Sequence, residues 1–419
     1  MPTNPKHPNP NINPPLMAQT LSSDQLTRLA QEFGTPLYVY HAEKIKEQFQ
    51  KLSSAFQGSD TVFFYACKAL TNINILRYIR DLGANVDCSS INEARLALHA
   101  GFPKERVLYT SNGIGFDEIE AAQELGVIIN IDSLSNLEKF GRRFGNSYPV
   151  GVRLRPNIMA GGHLKMSTGH DKSKFGIPVD QADRILELVD RFHLRIHDLH
   201  IHTGSEIKDV DVFVKGIEIL FDLIPKFNDL RFIDLGGGFK VPYKDGDSET
   251  DIQALAQAVA RAFKAHPNPG GRPLQVWFEP GKFLVSECGY FITKVNVIKQ
   301  TAAATFVSVD SGFNHLIRPM FYDAYHRIVN ISNPDGEHHH YSVVGNICET
   351  DTFAWDRAIA DVREGDYLVF YNAGAYGFEM SSNFNSRYKP AEVLVKAGQP
   401  YLIRKRDSFQ DLLRNQVEL

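Results

Sequence analysis

Cysteine is scarce in this sequence, and neither sign of charge dominates. The four cysteines (Cys67, Cys88, Cys288, Cys348) lie far apart and form no Cys-x-x-Cys pair, which favours free thiols in a reducing cytoplasm over a disulfide framework. No apolar run reaches the ~18 residues that a membrane span requires. The net charge of −4, from 45 basic and 49 acidic residues, disfavours nonspecific binding to nucleic acid or to an anionic membrane.

Length and composition are those of a globular protein. The 419 residues are 43% hydrophobic and 22% charged, and this length suits two or three domains of roughly 100–200 residues each. Residues 1–16 are rich in proline and asparagine and lack the apolar centre of a secretory signal. We therefore expect a disordered tail there.

Strand-like and helix-like segments alternate between residues 41 and 285. Eight short runs are rich in β-branched or aromatic residues, and most are followed by a segment of helical periodicity. The runs are TVFFYACK, ANVDCSS, RVLYTS, VIINIDS, YPVGVRLRP, RIHDLHIHTGS, RFIDLGGG and LQVWFEPG. Eight such units predict an α/β fold, a (β/α)8 TIM-like barrel, over residues 41–285. A doubly wound open sheet is the alternative.

A second, β-rich domain is predicted for the rest of the chain. From Tyr290 onwards, runs such as YFITKVNVIKQ, TFVSVDSG, HHYSVVG, DYLVFYN, AEVLVKAG and PYLIRKR are separated by turn signals rather than helices. The TPLYVY run near the N-terminus could join them, because chain termini often lie close together. We assign residues 17–40 and 286–419 to this domain, with a β-sandwich or barrel-like form.

Polar residues collect where four of the predicted barrel strands end. Lys68 ends the first run, His202 and Ser205 the sixth, the glycines of DLGGGF the seventh and Glu279 the eighth. Active groups of parallel barrels lie at this end of the strands. A single polar residue there is usually an ordinary loop residue, but four groups on one rim indicate a site.

Three of these groups suggest one kind of chemistry. Lys68 follows an apolar run, where desolvation would lower the pKa of its amine and make it a nucleophile able to form a Schiff base. A lysine that extends to the surface is the alternative. Gly236, Gly237 and Gly238 could let backbone N–H groups approach a phosphate, or simply form a tight turn.

The carboxylate at the eighth strand end fits the same chemistry. Glu279 precedes Pro280 and Gly281, which favour a turn that could direct the Glu279 carboxylate into the barrel mouth. An acidic group facing a pyridinium nitrogen keeps that nitrogen protonated and the ring a good electron sink. Glu279 could otherwise be a solvated charge or a helix-cap partner. The sequence contains no P-loop motif, which disfavours a nucleotide enzyme of that type.

Six motifs, in this order, resemble those of the fold-type III, pyridoxal-phosphate-dependent decarboxylases, and most closely the diaminopimelate decarboxylases. They are YACKAL, HIHTGSEI, DLGGGF, FEPGK, CETD and GAYGFEMSSNFNSR, and the resemblance extends from about residue 35 to residue 395. It implies a barrel plus a β domain, pyridoxal 5'-phosphate as cofactor, and decarboxylation of meso-2,6-diaminopimelate to L-lysine and CO2 in lysine biosynthesis. It also implies a homodimer with shared active sites.

The resemblance also assigns the cofactor-binding residues. It implies that Lys68 holds the cofactor covalently, that His202 stacks on its ring and that Glu279 pairs with the ring nitrogen. The remaining implied contacts are to the phosphate, from Ser205, Gly236, Gly237, Gly238, Gly281, Lys282 and Tyr376.

Substrate contacts and the proton donor follow from the same resemblance. Cys348 of CETD is implied to return a proton to carbon from the partner subunit, although a lone cysteine is more often an inert buried thiol. Arg318 and Tyr322 match positions that bind the distal carboxylate, and Glu349 the acceptor of the distal ammonium. Lys282 and Tyr376 complete the implied substrate contacts.

Two positions depart from the family pattern. Lys282 lies where the motif usually reads Glu-Pro-Gly-Arg, and it offers a point charge instead of a planar fork. HTGSEI replaces the commoner HIGSQ form, which has no interpretation from sequence. A third feature, the run His338, His339 and His340, is expected in a solvated turn between strands, and we predict no metal site there.

Three other functions stay open from sequence. A related decarboxylase could act on another amine-bearing acid, such as carboxynorspermidine. A racemase of the same cofactor class would keep the carboxyl group. A noncatalytic cofactor-binding homologue would need neither Cys348 nor Glu349.

Overall fold

The computed structural model describes residues 20–158, 173–266 and 273–419. The predicted disordered tail, residues 1–16, lies outside this part of the chain. Within it, no helix combines the length and apolar character needed to cross a membrane. All four cysteines are free thiols, three of them buried and Cys348 exposed.

The strands are numbered in chain order. The first ten are β1 Leu37–His41, β2 Thr61–Ala66, β3 Asn85–Cys88, β4 Val107–Thr110, β5 Ile128–Ile131, β6 Val150–Arg155, β7 Ile177–Pro178, β8 Ile196–Ile201, β9 Phe232–Asp234 and β10 Gln275–Phe278. The others are β11 Gly289–Gln300, β12 Thr305–Val309, β13 Ile328–Asn330, β14 His338–Val344, β15 Thr352–Ala360, β16 Tyr367–Phe370, β17 Ala391–Lys396 and β18 Gln399–Arg404.

The helices are numbered in the same way. They are α1 Ser23–Phe33, α2 Ala42–Ala55, α3 Ile73–Asp81, α4 Ile91–His99, α5 Phe116–Leu125, α6 Leu134–Phe144, α7 Ala182–Phe192, α8 Val210–Phe221, α9 Ile252–Ala265, α10 Lys282–Val285, α11 Arg318–Tyr322 and α12 Phe409–Leu413. Several begin at side-chain caps, as at Ser22, Asn72, Ser90 and Ser133, whose oxygens accept from backbone N–H groups of the first turn.

Eight parallel strands close into a barrel, in the order β2-β3-β4-β5-β6-β8-β9-β10 and back to β2. Each of the eight predicted runs forms one of these strands, and β7 adds a short pairing to β6. The (β/α)8 barrel is confirmed, and the open-sheet alternative is wrong because β10 pairs with β2 and β5 with β6. The carboxyl ends of all eight strands therefore share one rim.

A second, mostly antiparallel sheet follows the barrel, which confirms the predicted combination of folds. Its order is β15-β14-β12-β11-β1-β17-β18, with β16 pairing to β11 and β13. Strand β1 lies inside this sheet, between β11 and β17. The domain limits at residues 40 and 285 stay predictions. The histidine run was expected in a turn and instead begins β14, because His338, His339 and His340 pair with residues 358–360 of β15.

The second sheet and its loops hold the turn that follows β2. The backbone N–H of Tyr376 donates to the Ala69 carbonyl at 2.9 Å. The N–H of Thr71 donates to Glu379 Oε1 at 2.8 Å. The side chain of Asn72, which caps α3, donates to the buried Glu392 at 3.0 Å. Contacts from the β domain thus fix the backbone on which Lys68 is carried.

Candidate active site

A cavity of about 500 Å³ opens at the carboxyl ends of the barrel strands. Ten of the residues singled out in the sequence line it: Lys68, His202, Ser205, Gly238, Glu279, Gly281, Lys282, Arg318, Tyr322 and Tyr376. Seven of them come from the barrel and its loops, Arg318 and Tyr322 come from α11, and Tyr376 comes from the loop after β16. The structure therefore brings most of the predicted site together within one chain.

Lys68 projects into this cavity from the turn after β2. Its side chain is 43% exposed, and Nζ lies 3.4 Å from Asp87 Oδ2 at the end of β3. Burial lowers the pKa of Lys68, but the carboxylate of Asp87, with Tyr376 and Glu279, raises it further, so the net shift is upward. The expectation of a lowered pKa was therefore wrong. It took account of desolvation, which lowers the pKa of Lys68, but not of the carboxylate of Asp87, which raises it.

Glu279 lies at the end of β10 and is almost wholly buried. Its Oε2 lies 3.5 Å from His200 Nε2, and its Oε1 has no hydrogen-bond partner among the residues that the structure describes. Burial raises the pKa of Glu279, but His200 and Lys68 outweigh it and hold the pKa well below its usual range. The site therefore contains a buried, anionic carboxylate oxygen that can accept a hydrogen bond from a protonated group of a ligand.

His202 presents a neutral ring. Its Nδ1 accepts a hydrogen bond of 3.1 Å from the backbone N–H of Gly237, which requires that nitrogen to be unprotonated. Burial, with a smaller effect from Arg153, lowers the pKa of His202 to about 3. The imidazole therefore stays uncharged at neutral pH and can pack against a flat ligand ring.

The glycine turn after β9 leaves no space for side chains. A Cβ on Gly236 would lie 2.5 Å from His202 Nδ1, one on Gly237 would lie 2.2 Å from the Glu279 carbonyl oxygen, and one on Gly238 would lie 2.1 Å from the Gly204 carbonyl oxygen. Gly238 also has φ of +93°. The turn thus packs its backbone directly against the strand ends that carry His202 and Glu279.

Replacement of Gly237 with alanine is expected to weaken cofactor binding roughly tenfold or more, because the new Cβ must displace the backbone of Glu279. Titration of the apoprotein with pyridoxal phosphate, followed by absorbance, measures this. Gly246→Ala is the control, since a Cβ there meets nothing within 4 Å, although the φ of +74° at Gly246 strains any side chain. Equal affinities for both variants would contradict the assigned role of the turn.

One wall of the cavity is cationic. Arg318 begins α11 and is only 4% exposed. Its Nη2 donates to the hydroxyl of Tyr243 at 3.3 Å, while its buried Nε has no partner among the described residues. A buried guanidinium with an unused donor is costly unless a ligand supplies an acceptor, and a carboxylate suits its planar fork.

Cys348 and Glu349 do not line the cavity of their own chain. Both lie between β14 and β15 and are exposed. The Cys348 N–H donates to Asn385 Oδ1 at 2.9 Å, and the Asn385 amide lies 3.1 Å from Cys348 Sγ. Their assigned roles therefore need a second chain and stay predictions.

Sequence reasoning missed several residues around the cavity: Asp87, Arg153, His200, Asp234 and Tyr243. Asp87 and Arg153 line it from β3 and β6, where a charge within a strand was the available signal. Burial raises the pKa of Asp234, whose Oδ1 accepts from the Gly236 N–H at 2.8 Å. Within the described chain, His200, Asp234 and Glu279 also form a compact group with the ligand types of a metal site.

Comparison with known protein families identifies the class of enzyme to which the barrel belongs. The model described as pyridoxal-dependent decarboxylase, pyridoxal binding domain, matches residues 42–286, which contain all eight barrel strands. The chain is therefore a pyridoxal-dependent decarboxylase, with pyridoxal phosphate as its cofactor. The residues present fit that group, because the unpartnered Oε1 of Glu279, the neutral His202 and the glycine turn surround the cavity of Lys68.

Individual relatives narrow the class to one family. The diaminopimelate decarboxylase of Methanothermobacter thermautotrophicus is 39% identical over 93% of each chain. That of Escherichia coli is 35% identical over 94% of this chain and 96% of the relative. A solved diaminopimelate decarboxylase from Helicobacter pylori, in complex with L-lysine, superposes with a TM-score of 0.85 at 33% identity and covers 93% of this chain and 98% of its own. The chain belongs to the diaminopimelate decarboxylase family.

Proposed function

We propose that this protein removes one carboxyl group from meso-2,6-diaminopimelate to give L-lysine and CO2, with pyridoxal phosphate as cofactor. The observation that carries the proposal is the buried Arg318, whose unpartnered Nε lies on the wall of the cavity that contains Lys68. A second carboxylate at the distal end of the substrate would supply the acceptor that this guanidinium lacks. A substrate with only a distal amine would leave the charge buried and unpaired.

Several residues at the barrel mouth are assigned to the cofactor. When bound, the cofactor supplies an electron sink for the carbanion that loss of CO2 creates. The Lys68 amine would hold the cofactor at its aldehyde carbon, and the neutral ring of His202 would pack against the pyridine ring. Glu279, whose pKa is held well below its usual range, would face the ring nitrogen as a carboxylate and keep that nitrogen protonated. Ser205 and the turn of residues 236–238 would hold the phosphate, together with the loop of residues 279–282 and Tyr376.

Two residues of α11 orient the substrate. Arg318 and Tyr322 bind the distal carboxylate from α11 and fix which carboxyl group reaches the reacting centre. Lys282 lies on the same cavity and adds a second cation. Tyr376 is half-buried and lines the same cavity as Lys68, which fits a residue that covers the reacting centre and excludes water.

Incubation of the holoprotein with meso-diaminopimelate tests the proposal. We expect L-lysine and CO2 in equal amounts. Turnover of carboxynorspermidine in preference to diaminopimelate would favour a related decarboxylase instead. Conversion between diaminopimelate stereoisomers without CO2 would indicate a racemase, and no turnover of any substrate would indicate a noncatalytic homologue.

Cys348 is proposed as the residue that returns a proton to carbon, in the active site of a partner subunit. Its exposure supports this, because the other three thiols are buried and cannot reach a ligand. The thiol lies outside the cavity of its own chain, so a two-fold dimer with exchanged loops is the arrangement that would use it. Glu349, beside it, would accept the distal ammonium there. The free thiols fit a reducing cytoplasm as the proposed location.

Mixing two inactive variants tests the shared site. Lys68→Ala and Cys348→Ala homodimers are expected to be inactive alone, but a 1:1 mixture allowed to exchange subunits should recover up to about a quarter of wild-type activity. In the hybrid dimer one site keeps both residues. Each variant mixed with itself is the control. A mixture that stays inactive although mass spectrometry detects hybrid dimers would contradict the shared site.

A further inference from the structure

The two departures from the family pattern are in contact. Lys282, where the motif usually has arginine, donates from Nζ to Glu206 Oε1 at 2.7 Å, and Glu206 replaces the glutamine of the commoner motif. Lys282 is 8% exposed and Glu206 25% exposed. The two residues are 76 positions apart in sequence, so only the fold shows that they form a pair.

Lys282 belongs to the cationic wall of the Lys68 cavity, while Glu206 lines a neighbouring cavity together with Arg318 and Tyr243. Lys282 Nζ lies 5.8 Å from the centroid of the Tyr243 ring, and the Arg318 guanidinium lies 5.6 Å from the same centroid. Burial raises the pKa of Glu206, but Lys282, with Lys240 and Arg318, outweighs burial and lowers it. Glu206 is therefore a carboxylate surrounded by cations.

Lysine and arginine differ in what they need at such a position. A guanidinium is planar, keeps its charge and can bind a carboxylate through two parallel bonds without help. An ammonium on a flexible stem has no preferred direction, and a buried one without a counter-ion is costly. The Glu206 carboxylate, at 2.7 Å, both fixes the position of the Lys282 ammonium and compensates its buried charge.

We propose that Glu206 is a positioning residue for substrate binding: it holds the Lys282 ammonium on the wall beside Arg318, so that the two cations bind the distal carboxylate together. The inference rests on the proposed function, because it concerns the same substrate end. Its distinctive consequence is that Glu206 matters when residue 282 is lysine and is dispensable when residue 282 is arginine.

A double-mutant cycle tests this dependence. We expect Glu206→Gln to raise KM for meso-diaminopimelate about tenfold, with kcat and the cofactor absorbance spectrum nearly unchanged. In a Lys282→Arg background, the same change should raise KM by less than about twofold. Glu249→Gln is the matched control, since it removes a carboxylate from an exposed pair with Lys51. If Glu206→Gln does not fold, Glu206→Asp, which withdraws the charge by one methylene, should raise KM in the same direction.

The outcomes separate this inference from the proposed function. Wild-type protein that forms no lysine overturns both. Wild-type activity with an unchanged KM for Glu206→Gln, or with an equal rise in the lysine and arginine backgrounds, overturns only the role of Glu206. A loss of cofactor affinity in Glu206→Gln without any rise in KM would assign the pair to the phosphate alone and would also overturn the role of Glu206 in substrate binding.

Discussion

Lys68→Ala is expected to reduce kcat by at least about a thousandfold, because Lys68 is the amine assigned to the cofactor aldehyde and the other lysine that lines the cavity, Lys282, is paired with Glu206. The absorbance of the bound cofactor should also change from that of a lysine adduct to that of the free aldehyde. Steady-state assays and absorbance spectra of the purified variant measure both effects.

A matched control separates this effect from the loss of any lysine. Lys51 has a similar exposure, 38% against 43%, and is likewise paired with a carboxylate, that of Glu249 at 2.5 Å. Lys51→Ala should keep both the absorbance and the activity of the wild type. Full turnover by Lys68→Ala would rule out the mechanism.

Arg318→Met is expected to lower kcat/KM for meso-diaminopimelate about a hundredfold, or about 3 kcal/mol. The methionine fills similar volume but leaves the distal carboxylate without its cation. Arg318→Lys should lower kcat/KM roughly tenfold, because lysine keeps the positive charge but lacks the planar fork of arginine. Initial rates over a range of substrate concentrations give these values.

The control for this variant is a second arginine packed on a tyrosine. Arg327 lies 5.4 Å from the Tyr371 ring centroid, as Arg318 does from that of Tyr243 at 5.6 Å, but Arg327 is exposed and lies outside the cavity. Arg327→Met should leave kcat/KM unchanged. An Arg318→Met enzyme with wild-type kcat/KM would show that the distal carboxylate binds elsewhere.

The barrel could be predicted from sequence because each strand is a short run of β-branched and aromatic residues followed by a turn signal. Strand β15 was missed because its centre breaks the apolar pattern: Trp355 and Asp356 are exposed and are followed by the half-buried Arg357. Strand β13 was missed because three residues are too few for a pattern. Local periodicity thus predicts buried strands better than exposed ones.

The site was predicted less completely, for a different physical reason. The motifs identify residues that touch a ligand, but charge compensation comes from residues far away in sequence. Asp87 is 19 positions from Lys68 and reverses the expected direction of its pKa shift. Glu206 is 76 positions from Lys282 and explains a motif that had no interpretation. Strand register and loop packing, which bring these pairs together, are not visible in a single sequence.

The most direct test of the account is borohydride reduction of the holoprotein followed by peptide mapping. Reduction fixes a lysine–cofactor bond irreversibly, so the modified peptide identifies the residue that holds the cofactor. We expect a single pyridoxyl-modified peptide that contains Lys68. A modification on another lysine, or no modified peptide from protein that still has its cofactor absorbance, would contradict the assignment on which the proposed function depends.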